Sequence, residues 1–114
     1  MEETIFDKIL AGETQADVVY EDDYVLAFRD INPQAPVHVI VIPRKKLRGI
    51  ADAKESERDP LGGFIQGISR AAEALDLEES GYRVVFNNGR DALQTVPYIH
   101  AHILGGRRMK WPPG

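Results

Sequence analysis

The sequence predicts a single α+β domain with two helices and a five-stranded, largely antiparallel sheet. The chain has 114 residues, and about 100–150 residues is the commonest size of one domain. Five short apolar runs bounded by turn residues predict strands, and two segments with apolar residues at helical spacing predict helices. The strands are not regularly interleaved with helices, which favours antiparallel over parallel pairing.

The N-terminal third is predicted to be a helix followed by a hairpin. A one-face apolar pattern predicts the helix over residues 1–10, and Gly12 is expected to end it. Short strands are predicted over residues 18–20 and 24–28. The acidic residues 21–23 between them include two aspartates, which readily adopt turn geometry, so the two strands should form a hairpin.

A proline-containing loop over residues 32–36 precedes the most apolar strand, residues 37–42. Each proline removes an N–H donor and pushes its predecessor out of the helical region. The apolar run predicts a central strand buried on both faces, which Pro43 stops. His38 and Ile40 share one face of it, because alternate residues of a strand point the same way.

The long helix is predicted to begin with Asp59 as its N-cap and Pro60 at its first position. It contains three glycines, each of which costs about 1 kcal/mol relative to alanine in a helix. Such glycines suggest close packing against the sheet or another subunit. They are Gly62, Gly63 and Gly67.

Two further strands are predicted over residues 82–86 and 98–104, with a polar loop over residues 87–94 between them. Gly105 and Gly106 should end the last strand. A glycine turn also lets the backbone approach a ligand closely.

Composition excludes several classes of site. The chain has no cysteine, so disulfides, thiolate metal sites and a cysteine nucleophile are excluded. Its net charge of −4 argues against broad nucleic-acid binding. No apolar run approaches the roughly 20 residues of a membrane span, and the first residues lack a basic stretch, so we expect a cytoplasmic protein without membrane contact.

Two basic clusters, residues 44–48 and 107–110, interrupt this acidic chain. Each is compatible with a solvated face. Each is also compatible with local attraction of a small phosphate-bearing ligand, which needs only a few positive charges.

With no cysteine and three histidines, chemistry near neutral pH would rest on imidazoles or carboxylates. Tyr98, His100 and His102 should share one face of the last strand by its period of two. Two imidazoles on one strand can act on one substrate, one as nucleophile and one as a binding or acid group. The same spacing is also compatible with two exposed histidines on the solvent-facing side of a strand. The alternate positions, which should face the core, are Ile99, Ala101 and Ile103.

The loop before that strand could bind an anion. Backbone N–H groups over residues 87–95, with the side chains of Gln94 and Thr95, could hold a phosphate. Viewed alone, the segment also reads as an ordinary surface loop.

A carboxylate follows the predicted hairpin. Asp30 could accept both hydroxyls of a ribose diol, because an ionised carboxylate is an acceptor-only group. Phe28 or Ile31 could pack a base beside it. The alternative is that Asp30 is a turn residue before the proline loop.

Taken together and in order, residues 30–43, 87–95 and 100–106 closely resemble the histidine triad (HIT) superfamily. The tail Gly-Gly-Arg-Arg-Met-Lys-Trp-Pro-Pro-Gly, residues 105–114, resembles the Hint branch. This resemblance covers essentially the whole chain. It implies one small α+β domain, residues 1–114, that forms a homodimer with one continuous antiparallel sheet and docks its tail at the partner. It also implies binding of purine nucleotides and hydrolysis of nucleoside 5′-phosphoramidates such as AMP-linked amines, with no cofactor.

The resemblance also implies roles for individual residues. His100 falls on the nucleophile that attacks the α-phosphorus and forms a nucleotidyl-histidine intermediate, which water then cleaves. His102 falls on the contact to phosphate and leaving group, and His38 on a supporting relay. Asp30 falls on the ribose-binding carboxylate, and Trp111 on a residue that reaches the neighbouring subunit's site. The other implied nucleotide contacts are Phe6, Phe28 and Ile31 around the base, and Asn87, Gln94 and Thr95 at the phosphate and leaving group.

The chain departs from the family pattern at several positions. Tyr98 stands where the first histidine of the triad is usual, and tyrosine, with a pKa of about 10, cannot act as a cation near pH 7. Ala101 stands where a larger apolar residue is usual, and Leu93 where a glycine is common. Thr4 and Asp7 occupy the region where some members hold a structural zinc with cysteines, so we expect no structural zinc.

Two other functions fit the same residues. One is a nucleotide-binding or interaction module with weak or no turnover, which Tyr98 and Leu93 favour. The other is a metal protein, because His38, His100 and His102 could supply three ligands to a catalytic zinc.

Overall fold

The computed structural model describes residues 2–114 and confirms the predicted α+β class. The five strands follow the order β1-β2-β3-β5-β4 across the sheet, and every neighbouring pair is antiparallel. The elements are α1 (Ile5–Leu10), β1 (Val18–Glu21), β2 (Val25–Arg29), β3 (Val37–Pro43), α2 (Arg58–Ala74), β4 (Arg83–Val85) and β5 (Ala101–Gly105), with short 3-10 helices at Ile50–Glu55 and Arg90–Ala92.

The first helix begins at Ile5, so the predicted start at residue 1 was too early, although residue 1 itself lies outside the described part. Thr4 sets the start. Its hydroxyl accepts the N–H groups of Phe6 and Asp7, and the Asp7 carboxylate accepts the Thr4 N–H at 2.7 Å. This reciprocal capping gives acceptors to N–H groups at the helix start, which have no earlier turn whose carbonyls could accept them. Gly12 follows the helix with a positive φ of 77°, as predicted for its end.

The predicted hairpin is confirmed, with β1 one residue longer and β2 displaced by one residue. Asp22 shapes its turn. One carboxylate oxygen accepts the N–H of Tyr24 at 2.8 Å and that of Val25 at 2.9 Å. The aspartate therefore satisfies the backbone donors that the turn leaves free.

The predicted N-cap of the long helix was wrong. The helix begins at Arg58 with Glu57 as its cap residue, and Asp59 lies in the first turn. The Asp59 carboxylate instead accepts the hydroxyl of Tyr24 at 2.9 Å, which ties the helix to the sheet. Close packing is confirmed at Gly67, where an added Cβ would lie 2.5 Å from Val25.

The predicted start of the last strand was also wrong, because β5 begins at Ala101 rather than at residue 98. Strand β3 pairs with β5 only as far as Val41 opposite Ala101. Before that point the chain leaves the ladder, and the N–H of Ile99 donates to the carbonyl of Leu47 at 2.7 Å. Residues 98–100 therefore run beside the sheet without belonging to it.

The sheet separates two apolar layers. Helix α2 covers one face, where Val39, Val41 and Ile103 are fully buried. Helix α1 lies on the other face, where Phe6 and Tyr98 join a second cluster. The remaining buried members of that second cluster are Leu26, Phe28, Ile40 and Ile42.

The alternation along β3 and β5 places His38 and His102 on the same face as α1, at the centre of the sheet. No helix within residues 2–114 has the length and apolar character needed to cross a membrane.

Candidate active site

His38 and His102 form a hydrogen-bonded pair on the α1 face. The Nε2 atom of His38 lies 2.9 Å from the Nδ1 atom of His102. The N–H of Gln34 donates to Nδ1 of His38 at 3.0 Å, so this nitrogen carries no proton. In neutral His38 the proton therefore lies on Nε2 and is donated to His102. His102 accepts at Nδ1 and keeps its own proton on Nε2.

His100 carries its proton on Nδ1, the nitrogen that is unprotonated in His38 and His102. Its Nδ1 atom lies 2.7 Å from the carbonyl oxygen of Tyr98, which can only accept, so Nδ1 carries the proton. The Nε2 atom of neutral His100 is then an unprotonated nitrogen with a free lone pair. His100 is 7% exposed. Its ring centre lies 4.9 Å from that of Phe6 and 5.0 Å from that of His102.

Burial keeps the three imidazoles neutral near pH 7. It lowers the pKa of His38 and of His100 below the usual value of 6.5, although Asp30 partly opposes it at both residues. His102 is affected most. Burial, followed by the nearby His100 and His38, lowers its pKa to about 4. Neutral imidazole is the nucleophilic form of histidine, so the site is prepared for attack without first losing a proton.

Asp30, the predicted ribose-binding carboxylate, lies beside this group. One of its oxygens is 3.3 Å from Nε2 of His38, and its side chain is 16% exposed. The other oxygen accepts the N–H of Asn32 at 2.8 Å. The turn role considered in the sequence is therefore filled by this carboxylate.

A cleft of about 510 Å³ opens beside Asp30. Its walls are mainly apolar, and the carboxylate lies on its lining. An apolar slot with few polar groups is typical of sites for flat organic ligands. The predicted base-packing residues Phe6, Phe28 and Ile31 all line it, with the first two buried and Ile31 fully exposed. Its further apolar lining is Ile5, Ile9, Ala16 and Ile40.

The predicted phosphate loop is fastened by Gln94. The Gln94 side chain accepts the N–H of Gly89 at 2.9 Å and donates to the carbonyls of Arg48 at 2.8 Å and Val96 at 3.1 Å. The amide of Gln94 therefore already has hydrogen-bond partners within the protein, and these bonds stabilise the loop. Among residues 2–114, no hydrogen bond engages the side chains of Asn87, which is half-buried, or Thr95, which is exposed.

Leu93 retains the backbone shape expected of glycine. Its φ is 61° and its ψ is 40°, in the left-handed region, and its side chain is 79% exposed. This geometry adds backbone strain at Leu93, since left-handed geometry costs about 1–2 kcal/mol for residues with a Cβ.

Tyr98 contributes to the histidines through its backbone. Its side chain is 1% exposed and packs in the α1 layer, where its hydroxyl donates to the carbonyl of Pro43. Burial raises the pKa of this phenol, so it stays protonated. The contact with His100 is made by the carbonyl of Tyr98, which any residue type would supply.

The three histidines considered as zinc ligands are not grouped as that hypothesis requires. The group whose ligand atoms lie within 4.8 Å of one another consists of Asp30, His38 and His102. A metal on Nε2 of His38 would force the proton onto Nδ1, where it would face the N–H of Gln34 at 3.0 Å. The residues therefore do not fit a metal while the Gln34 hydrogen bond is intact.

The C-terminal tail lies along the edge strand of its own sheet. The Arg83 guanidinium donates to the carbonyl of Lys110 at 3.0 Å and lies 5.9 Å from the ring centre of Trp111. Trp111 is 80% exposed, so this contact covers little of its indole.

Sequence reasoning missed Gln34 and Lys46. The function of Gln34 is carried by its backbone N–H, which leaves no signal in the residue type. Lys46 belongs to a basic cluster that reads as solvated, yet its ammonium lies 2.8 Å from Asp7 and 5.5 Å from the ring centre of Tyr98.

Known proteins resemble this chain over nearly its whole length. A model of the HIT domain matches residues 11–109. A 14 kDa zinc-binding protein of Zea mays is 52% identical over 113 residues, which cover 97% of this chain and 88% of that protein. Adenylylsulfatase HINT1 of Arabidopsis thaliana is 48% identical over 113 residues, which cover 97% of this chain and 76% of that protein.

Solved structures give the same result. A HIT family hydrolase from Legionella pneumophila Philadelphia 1 superposes with a TM-score of 0.92 and 46% identity, covering 98% of this chain and 100% of that one. A histidine triad protein from Clostridium difficile has a TM-score of 0.87 and 39% identity, covering 96% of this chain and 97% of that one. This chain therefore belongs to the histidine triad (HIT) family and has Hint-like relatives.

Proposed function

We propose that this protein hydrolyses nucleoside 5′-phosphoramidates, with His100 as the nucleophile. The observation that carries the proposal is the hydrogen bond from Nδ1 of His100 to the carbonyl of Tyr98, at 2.7 Å. It leaves the lone pair of Nε2 free in the neutral ring, and burial favours that neutral form. A nucleophile with one nitrogen held and the other free suits attack on phosphorus.

In the proposed first step, Nε2 of His100 forms a bond to the α-phosphorus and the P–N bond breaks. The electron pair of that bond leaves with the amine, which takes a proton through the Nε2–H of His102. Water then attacks the phosphorus, the N–P bond to His100 breaks, and the water proton returns to the histidine pair. Dividing one displacement into two lowers each barrier.

The cleft supports the proposed contacts with the base and the ribose. A purine packs against Phe6, Phe28 and Ile31, and the ribose diol donates to Asp30. We propose Asn87 and Thr95 as phosphate or leaving-group contacts. We propose that Gln94 supports the phosphate site indirectly, by holding the loop in place, because its amide already has three protein partners.

Hydrolysis of an adenylyl sulfate is a second candidate function. It is favoured by the Arabidopsis relative, which is named an adenylylsulfatase and is 48% identical across 97% of this chain. The same attack by His100 would serve both substrates. The two differ in the leaving group, because sulfate leaves as a stable anion whereas an amine needs a proton.

Zinc binding is not proposed, although relatives in Zea mays and Brassica juncea are named zinc-binding proteins. The group of Asp30, His38 and His102 has a proton conflict at His38, where Nδ1 already accepts the Gln34 N–H. We also propose no structural zinc, since Thr4 and Asp7 cap α1 and lack the thiolates for such a site.

We further propose a cytoplasmic homodimer joined through β4. This strand is at one edge of the sheet, and Val84 within it and Tyr82 directly before it are exposed. An unpaired edge is a ready template for another strand. Trp111 lies over Arg83 of the same edge, from where the tail could reach a partner. Light scattering of the purified protein tests the dimer, and a monomeric mass would contradict it.

An assay of AMP release from an AMP–amine conjugate tests the main proposal. Wild-type protein should release AMP, and His100→Ala should lower kcat by about a thousandfold or more, because no other group replaces the nucleophile. Thermal unfolding and AMP affinity of the variant show that fold and cleft survive. Equal turnover by the two proteins, or binding of AMP with no wild-type turnover, would contradict the enzyme and favour the binding-module alternative.

A further inference from the structure

Three side chains from separate parts of the chain meet directly behind His100. They are Asp7 on α1, Lys46 in the segment after β3, and Tyr98 ahead of β5. The Lys46 ammonium lies 2.8 Å from the Asp7 carboxylate and 5.5 Å from the ring centre of Tyr98. Tyr98 is fully buried, and the side chains of Lys46 and Asp7 are only 18% and 27% exposed. The ion pair of this cluster is therefore partly buried, where ion pairs are stronger than at a fully exposed surface.

The cluster contacts the nucleophile in two ways. The Tyr98 carbonyl accepts the Nδ1–H of His100, and its phenol is anchored to the carbonyl of Pro43 at the end of β3. Phe6, on the same helix as Asp7, packs edge-to-face on Tyr98 at 5.9 Å and on His100 at 4.9 Å. The ion pair therefore joins α1, and with it Phe6, to the segment after β3, where the Lys46 ammonium also lies 5.5 Å from the ring centre of Tyr98, two residues before His100.

We propose that Asp7, Lys46 and Tyr98 are positioning residues for His100, and that the tyrosine at the first triad position supports turnover in this chain. This inference rests on the proposed function. Fixing Tyr98 fixes the carbonyl that determines which nitrogen of His100 is protonated. Fixing Phe6 restricts rotation of the imidazole. A nucleophile that is displaced or rotated loses rate even when substrate binding is intact.

The test compares Lys46→Met, which removes the charge, with Lys45→Met. Lys45 is the adjacent lysine, and its ion pair with Glu57, at 3.3 Å, is exposed. Lys46→Met should lower the single-turnover rate of nucleotidyl transfer by about tenfold while KM changes less than about threefold. It should also move part of the His100 population to the Nε2–H tautomer in ¹⁵N NMR spectra. Lys45→Met should match wild type in both.

Two further variants keep the test informative if Lys46→Met folds poorly. The charge reversal Asp7→Lys with Lys46→Asp should recover rate and tautomer relative to Asp7→Lys alone, because it restores the pair while both proteins lack the Asp7 bond to the Thr4 N–H. Tyr98→His should fall below the wild-type rate, since a histidine lacks the reach to Pro43.

A Tyr98→His rate above wild type would overturn the proposal. So would a Lys46→Met protein with lower thermal stability but an unchanged rate and an unchanged His100 tautomer. The NMR arm needs no turnover, so it still decides the positioning role if the wild type proves inactive on every amine conjugate. Failure of the proposed function and failure of this inference are thus distinguishable.

Discussion

His38 Nε2 lies 2.9 Å from His102 Nδ1, and the direction of this hydrogen bond is determined by a backbone group. The Gln34 N–H occupies Nδ1 of His38, so His38 donates and His102 keeps its Nε2 proton. The backbone N–H of Gln34 in the proline loop therefore determines that His102 carries its proton on Nε2, the proton proposed to go to the leaving amine.

Gln34→Pro removes this N–H and should lower turnover of an AMP–amine conjugate by about tenfold, because His38 can then adopt either tautomer. The matched control is Gln34→Ala, which keeps the N–H and loses only the side-chain bond to Asn32. It should retain wild-type turnover. Both are assayed for turnover and for the His38 tautomer by ¹⁵N NMR. Equal activities of the two variants would show that the N–H has no part in the reaction.

His102→Asn should separate the two candidate leaving groups. Hydrolysis of an AMP–amine conjugate should fall by about a hundredfold, because the amine loses its proton source. Hydrolysis of adenylyl sulfate should fall by about tenfold or less, since sulfate leaves without a proton. Both rates are measured on the same preparation. An equal loss on both substrates would mean that His102 acts on the phosphate alone.

The acid side of the pH profile of kcat/KM should lie below pH 6.5. Protonation of Nε2 removes the nucleophilic lone pair of His100, so activity is present above its pKa and lost as pH falls through it. Burial lowers this pKa from 6.5 and that of His102 to about 4, so the loss is displaced to more acid pH. The profile is measured from about pH 4 to about pH 8 at constant ionic strength. Half-maximal activity at pH 6.5 or above would contradict the buried, neutral site.

Leu93→Gly should be more stable than Leu93→Ala by about 1 kcal/mol in the free energy of unfolding, because alanine keeps the cost of the left-handed backbone. Both changes remove the same exposed side chain, so the comparison isolates the φ of 61°. Chemical denaturation of the two variants gives the difference. An alanine variant as stable as the glycine variant would show that the loop does not require this conformation.

Much of the fold could be predicted because periodicity reports burial directly. The run from Val37 onward predicted the central strand, and the structure has it as β3 with Val39, Val41 and Ile42 fully buried. Local capping could not be predicted in the same way. Asp59 has the residue type of an N-cap, but its carboxylate takes a tertiary bond from Tyr24, which lies 35 residues away in sequence.

The candidate site could be outlined where residue type suggests the chemistry, as for His100, His102 and Asp30, which lie close together in the structure. It was not predictable where the backbone carries it. Residue type at position 98 drew attention to a missing imidazole, whereas the group that contacts His100 there is a carbonyl. Lys46 was likewise missed, because a basic cluster in sequence gives no sign that one of its members is shielded beside Tyr98.

The central claim is a covalent nucleotidyl intermediate on His100. Mass spectrometry of acid-quenched protein, mixed with excess of a reactive AMP amide within one turnover, tests it most directly. We expect one added adenylyl group, located on His100 by peptide mapping, that decays on the timescale of AMP release and is absent from His100→Ala. AMP release without any protein adduct, or an adduct on another residue that persists in His100→Ala, would contradict it.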